Sequence, residues 1–187
     1  AICFPTQFGC DASQATVYDY NPAKAKELLA EAGFPNGFDI ELHAYRERNQ
    51  SEAMINYLRA VGIRATLRFG QYAAMRDQIR SHRAAMAHQT WGSFSINDVS
   101  ASTPVYYKGL DDDISRDPKV IELLQRGDTT TDPQARLAAY REAHKIIAEQ
   151  AYSVPLYNLV TFYAASKDLE FQAYPDELPR FWEMRWK

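Results

Sequence analysis

Apolar and polar positions change rhythm along this chain. From Phe38 to Tyr45 they alternate, which predicts a strand with one buried face. Ahead of it, Ala25, Leu28, Leu29 and Ala32 recur at helical spacing. Asn21-Pro22 supplies a cap and a first-turn proline, Gly33 a stop, and Pro35 a block to resumption. A helix over 22–33 follows. A second helix is predicted over 51–61, with Met54, Ile55, Leu58 and Val61 on one side, and Gly62 ends it. Residues 63–69 alternate again. A third helix over 71–82 turns Tyr72, Met75 and Ile79 inward, and 85–91 reads as a short third strand. Helix and strand in strict rotation imply a mixed α/β sheet with parallel strands joined by crossover helices.

The rhythm is lost over 92–116, a stretch rich in Ser, Asp, Tyr and Gly, and long irregular loops in compact domains are often functional. Asp117-Pro118 and Asp132-Pro133 each repeat the cap-then-proline signal, so two more helices begin there. The second carries Leu137, Tyr140, His144 and Ile147 on one face. Residues 153–159 and 160–165 read as strands, and the tail from Ser166 is aromatic but less regular.

Composition narrows the function. At 187 residues, 46% hydrophobic and 24% charged, the chain can build an ordinary core. Its net charge is -3 with no basic stripe, which argues against nucleic acid as the main partner. No apolar run approaches the roughly 20 residues of a membrane helix. The chain opens with Ala1 and shows no signal peptide, so it reads as a processed form or a piece of a longer protein. Cys3 and Cys10 lie close together in a loop with Pro5 and Gly9, which predicts a disulfide-closed turn, with two free thiols as the alternative; a disulfide would point to an oxidising compartment. His43, His82, His88 and His144 match no metal spacing, and His144 reads as a core residue. Asp111-Asp112-Asp113 reads as a solvated acidic loop, since it lacks the spaced ligands of a calcium loop. No phosphate-binding glycine loop and no nucleophile motif is present, so no cofactor, no metal and no enzyme activity is expected.

Five blocks, in order, carry a resemblance. They are the run from Tyr18 to Phe38 with its Asn21-Pro22, Lys24-Ala25-Lys26 and Glu31-Ala32-Gly33; the step Leu58-Arg59-Ala60-Val61-Gly62-Ile63; Trp91-Gly92; Ser115 to Leu124 around Asp117-Pro118; and Ala138 to Glu149 followed by Val154-Pro155-Leu156-Tyr157. Together they resemble family 5 of the extracellular solute-binding proteins, the peptide- and nickel-binding family. The resemblance implies the second lobe of a two-lobed periplasmic binding protein of class II type. It implies a solute-binding domain over 1–165 and a return segment over 166–187 towards a first lobe. The implied function is capture of a peptide or other small solute for an ABC importer, with permease subunits as membrane partners. The implied location is periplasmic or extracellular, with lipid anchoring through a missing amino terminus as a further option.

In the family, the solute lies near the tryptophan that ends the third strand. The resemblance therefore makes Trp91, His88 and Tyr72 candidate ligand-binding residues, with Tyr45 reaching the same cleft. Peptide-binding members place an aspartate three residues after the tryptophan, where it pairs with the peptide's amino group. Here that position is Phe94, which puts ordinary free peptides in doubt, and Asn97 and Asp98 are the nearest substitutes. An alternative reading is a stand-alone α/β interaction domain. In that case the aromatics over 91–107 would form a flat contact patch.

Overall fold

The computed structural model describes the chain except for residues 1, 12, 14, 15, 93–95, 175 and 176. The chain forms two compact units. One comprises residues 17–91 and 109–114, the other 1–16, 92–108 and 115–187.

The first unit runs α1 (Pro22–Glu31), β1 (Phe38–Ala44), α2 (Arg48–Ala60), β2 (Ile63–Phe69), α3 (Tyr72–Arg80) and β3 (Met86–His88). The three strands form one parallel sheet in the order β2-β1-β3, as their alternation predicts. Asn21 caps α1 through Oδ1, which accepts from the Lys24 amide at 2.9 Å. Ser51 of α2 hydrogen-bonds His88, while Met75 and Ile79 of α3 pack with Ala84 around Tyr45 and Ala87. Neighbouring residues of a strand point to opposite faces, so α2 and α3 cover opposite faces of the sheet. The helix α1 departs from expectation. It buries none of its residues, and Leu28 is 52% exposed.

Two turns bring β1 and β2 into register. Gly37 and Gly62 immediately precede the paired residues Phe38 and Ile63, and both have positive φ. The two backbones approach so closely that there is no room for a side chain at Gly37.

In the second unit the predicted helices are present as α5 (Pro118–Thr129) and α6 (Pro133–Glu149). Asp117 and Asp132 cap them as N-cap-then-proline pairs. Within the region read as structureless, a 3₁₀ turn over Val99–Ala101 and the short helix α4 (Thr103–Tyr107) appear. Thr103-Pro104 opens α4 with a first-turn proline, a signal masked by the lack of periodicity in so short a helix. The core gathers Val99, Tyr107, Val120, Leu123, Leu124, Ala143 and Ile147 around the fully buried Tyr140. Tyr140 donates to Asp128 at 2.7 Å, accepts from Arg136 at 3.2 Å, and has its phenol pushed upward by burial.

Gly127 in α5 lies against this ring. A Cβ there would stand 2.5 Å from Tyr140 Cε1. Alanine in a helix interior normally gains about 1 kcal/mol over glycine. Overpacking a fixed core costs about 1–3 kcal/mol. Because Tyr140 is held at both ring and hydroxyl, the overlap prevails. Gly127→Ala is expected to lower the urea midpoint rather than raise it, and a raised midpoint would show that the ring can shift freely.

Residues 153–165, read as two strands, carry no strand pairing, and Val154, Val160 and Phe162 are 77%, 72% and 89% exposed. Alternation alone does not make a strand, because the backbone must also find a ladder partner. Among the described residues of the tail, β4 (Leu169–Glu170) pairs with β5 (Arg185–Trp186), antiparallel. Cys3 and Cys10 are joined in a disulfide. The loop they close places Phe8 in a parallel bridge to Asp98.

Candidate ligand-binding site

The carboxyl ends of β1 and β3 lie side by side, and in parallel α/β sheets this edge is where ligands bind. Tyr45 follows β1 directly, Tyr72 opens α3, and Thr90 and Trp91 follow β3. Tyr45 Oη and Thr90 Oγ1 share a hydrogen bond of 2.7 Å across the two strand ends. The rings of Tyr45 and Tyr72 stand 5.0 Å apart, tilted by 54°. The Arg76 guanidinium lies 5.6 Å from the Tyr72 ring centre and 5.9 Å from that of Trp91. Three aromatic side chains and one guanidinium thus form a contiguous shelf. Tyr72 is its most open member at 40% exposure, while Tyr45, Arg76 and Trp91 are half-buried.

Trp91 does not end the strand, as its place in the sequence suggested. β3 stops at His88, so Trp91 sits on the irregular segment three residues beyond. His88 is turned inward. It is buried, with Nδ1 2.9 Å from Ser51 Oγ, and burial holds its imidazole below the usual value against the opposing pull of Glu47. Its bond to Ser51 ties it to α2, so it is a buried residue of the sheet and not an exposed member of the shelf.

Arg76 itself is fixed from the 109–114 segment. Asp112 accepts from Arg76 Nε at 3.0 Å and Nη2 at 2.6 Å, and from Arg80 Nη2 at 3.1 Å. The Arg76 hydrogen bond, opposed in part by burial, holds the Asp112 carboxyl below the usual range. The expected solvated acidic loop is therefore corrected. Asp112 is 6% exposed and Asp113 fully buried, the latter accepting from the Gly109 amide at 2.8 Å. Sequence reasoning missed Arg76, because its partner lies 36 positions away and no local pattern joins them.

Asn97 and Asp98 belong to the other unit. There Asp98 caps the turn at Ser100 and accepts from Arg136 Nη2 at 3.2 and 3.0 Å, so its charge is already matched inside that unit. The Asn97 carbonyl accepts from the Phe8 amide at 3.0 Å, and its side chain is exposed. Phe94 lies outside the described residues. Among the described residues no cluster of His, Cys, Asp or Glu could hold a metal ion.

Residues 2–113 match the model of the bacterial extracellular solute-binding proteins, family 5 middle. The chain belongs to this family. Curated relatives of this family 5 chain include the glutathione-binding protein GsiB of Salmonella paratyphi A, 27% identical over 85% of the chain and 34% of the relative. Among solved structures, the dipeptide-binding protein of Pseudoalteromonas sp. SM9913 in complex with Met-Leu superposes with a TM-score of 0.81 at 24% identity, covering all of this chain and 39% of that one. HbpA2 of Haemophilus parasuis superposes with a TM-score of 0.79 at 23% identity, covering 96% and 38%. The fold is thus that of a lobe of a periplasmic binding protein. The chain spans between about a third and two fifths of the length of these relatives.

Proposed function

We propose that this family 5 chain supplies one wall of a solute-binding cleft in the substrate-binding component of an ABC importer. The observation that carries the reading is the shelf of Tyr45, Tyr72, Arg76 and Trp91 at the carboxyl edge of the parallel sheet. Rings at such an edge offer flat, rigid, amphipathic area to a solute. His88 backs the wall, and the sequence has Phe94 at the position of the family's acidic amine anchor. In the same reading, residues 1–165 form the solute-binding domain and 166–187 return towards a first lobe. Permease subunits at the membrane receive the loaded protein, and the setting is extracytoplasmic, with room for a lipid anchor. The work is binding and release rather than catalysis.

The test uses the whole two-lobed protein, titrated calorimetrically with glutathione, Met-Leu and a mixed di- to pentapeptide panel. Trp91→Ala is expected to weaken every solute that binds by about tenfold or more, since stacking and burial of such a ring contribute about 1.5–3 kcal/mol. Unchanged affinity in Trp91→Ala, or no binding from any probe, would overturn the wall.

A further inference from the structure

We propose that Thr90 is a positioning residue for solute binding: its hydroxyl locks the Tyr45 ring, and through that ring the aromatic face the shelf offers. The proposal rests on the cleft-wall reading and adds the residue that sets the wall's geometry. The parallel ladder between β1 and β3 ends at Ala44↔His88. Tyr45 stands one residue past that end and Thr90 two, so the ladder fixes neither of them. Their side chains carry the link onward, through the hydrogen bond of 2.7 Å between Tyr45 Oη and Thr90 Oγ1.

Both residues are half-buried, where a hydroxyl left without a partner costs more than the hydrogen bond itself contributes. The Tyr45 ring packs against the cluster of Met75, Ile79 and Ala84, and its centre lies 5.0 Å from that of Tyr72. A tyrosine side chain has few torsions to fix. Packing against this cluster holds the body of the ring, and Thr90 holds its far end, so the ring keeps one orientation. Tyr72, 40% exposed, leans on it at a tilt of 54°. The two rings therefore meet a solute already arranged, and a preorganised surface loses little side-chain entropy on binding. Thr90 also directly precedes Trp91, so the same tie steadies the chain that carries the third ring of the shelf.

The experiment titrates the whole two-lobed protein calorimetrically with Met-Leu, glutathione and the di- to pentapeptide panel. The variants are Thr90→Val, which keeps the shape and removes the hydroxyl; Thr90→Ser, which keeps the hydroxyl; Tyr45→Phe; the double variant Tyr45→Phe/Thr90→Val; and Trp91→Ala. Thr90→Val is expected to weaken each probe that binds by about five- to tenfold. Thr90→Ser should restore most of that loss. The double variant strands neither hydroxyl, so it should bind no more weakly than Thr90→Val alone. Unchanged affinity in Thr90→Val, no rescue by Thr90→Ser, or losses that multiply in the double variant would each overturn the lock. With Trp91→Ala weakened alongside, those results leave the wall standing. No binding of any probe, or Trp91→Ala without effect, strikes the wall itself and the lock with it, so the two failures can be told apart.

Discussion

Gly37→Ala is expected to destabilise the β1–β2 layer by about 3–5 kcal/mol, whereas Gly33→Ala, four residues earlier, should cost about 1 kcal/mol. Both glycines have positive φ, +68° and +88°. A side chain in that region is strained whatever surrounds it, so the strain is common to the pair. They differ in what a Cβ would meet. At Gly33 nothing lies within 4 Å. At Gly37 a Cβ would fall 1.8 Å from the Gly62 carbonyl oxygen and 2.4 Å from its carbon. Those are backbone atoms, which cannot rotate away as a side chain can. Relief therefore requires separating the two turns, and the turns set the register Phe38↔Ile63 through Ala44↔Phe69. Hydrogen exchange of the amides over 38–44 and 63–69 reads this layer directly. Protection should collapse in Gly37→Ala and persist in Gly33→Ala. Similar protection in both variants would mean that the close approach is not what holds the strands in register.

Much of this layer was legible in the sequence. The strand over 63–69 lies where alternation puts it, and three cap-then-proline pairs mark three helix starts. These signals are local. They state which hydrogen bonds the next few residues will make, and folding does not overrule them. What could not be read depends on distant partners. Residues 153–165 alternate well yet have no ladder, because a strand is a relation between two segments. The stripe of α1 has helical period, but nothing in a period says what covers it. The candidate site divides in the same way. Tyr72 and Trp91 are candidates through the family's pattern, whereas Arg76 became one only in three dimensions, through Asp112 and two rings brought together by the fold. Asp98 makes the converse point. Its acidity suggested a ligand anchor, and its pairing with Arg136 gives that charge an internal use.

Acid should expose one buried histidine of the second unit. His144 lies on α6 with 3% exposure; Nε2 is 3.2 Å from Thr103 Oγ1, and Nδ1 has no hydrogen-bond partner among the described residues. Protonation would put a donor on Nδ1 with nothing to receive it, inside a site that already disfavours charge. Burial accordingly lowers its pKa from 6.5 to about 4. The sign follows from which state binds the proton first. As pH falls below 6.5, the unfolded chain protonates this ring while the folded chain does not, so protons favour unfolding. The loss grows until the folded ring also protonates near pH 4, and it amounts to about 3 kcal/mol over that window. His88 shifts in the same direction and adds to the slope in the wild type. The carboxyls of Asp112 and Asp117, held low by their partners, lose their contribution only below about 3.8, outside the window. Urea denaturation at pH 7, 5.5 and 4.5 tests this. His144→Gln, which cannot titrate, should start from a lower midpoint at pH 7 and show a much flatter decline towards pH 4.5. If His144→Gln declines as steeply as the wild type, the acid sensitivity belongs to other groups, and the buried ring is not the residue that sets it.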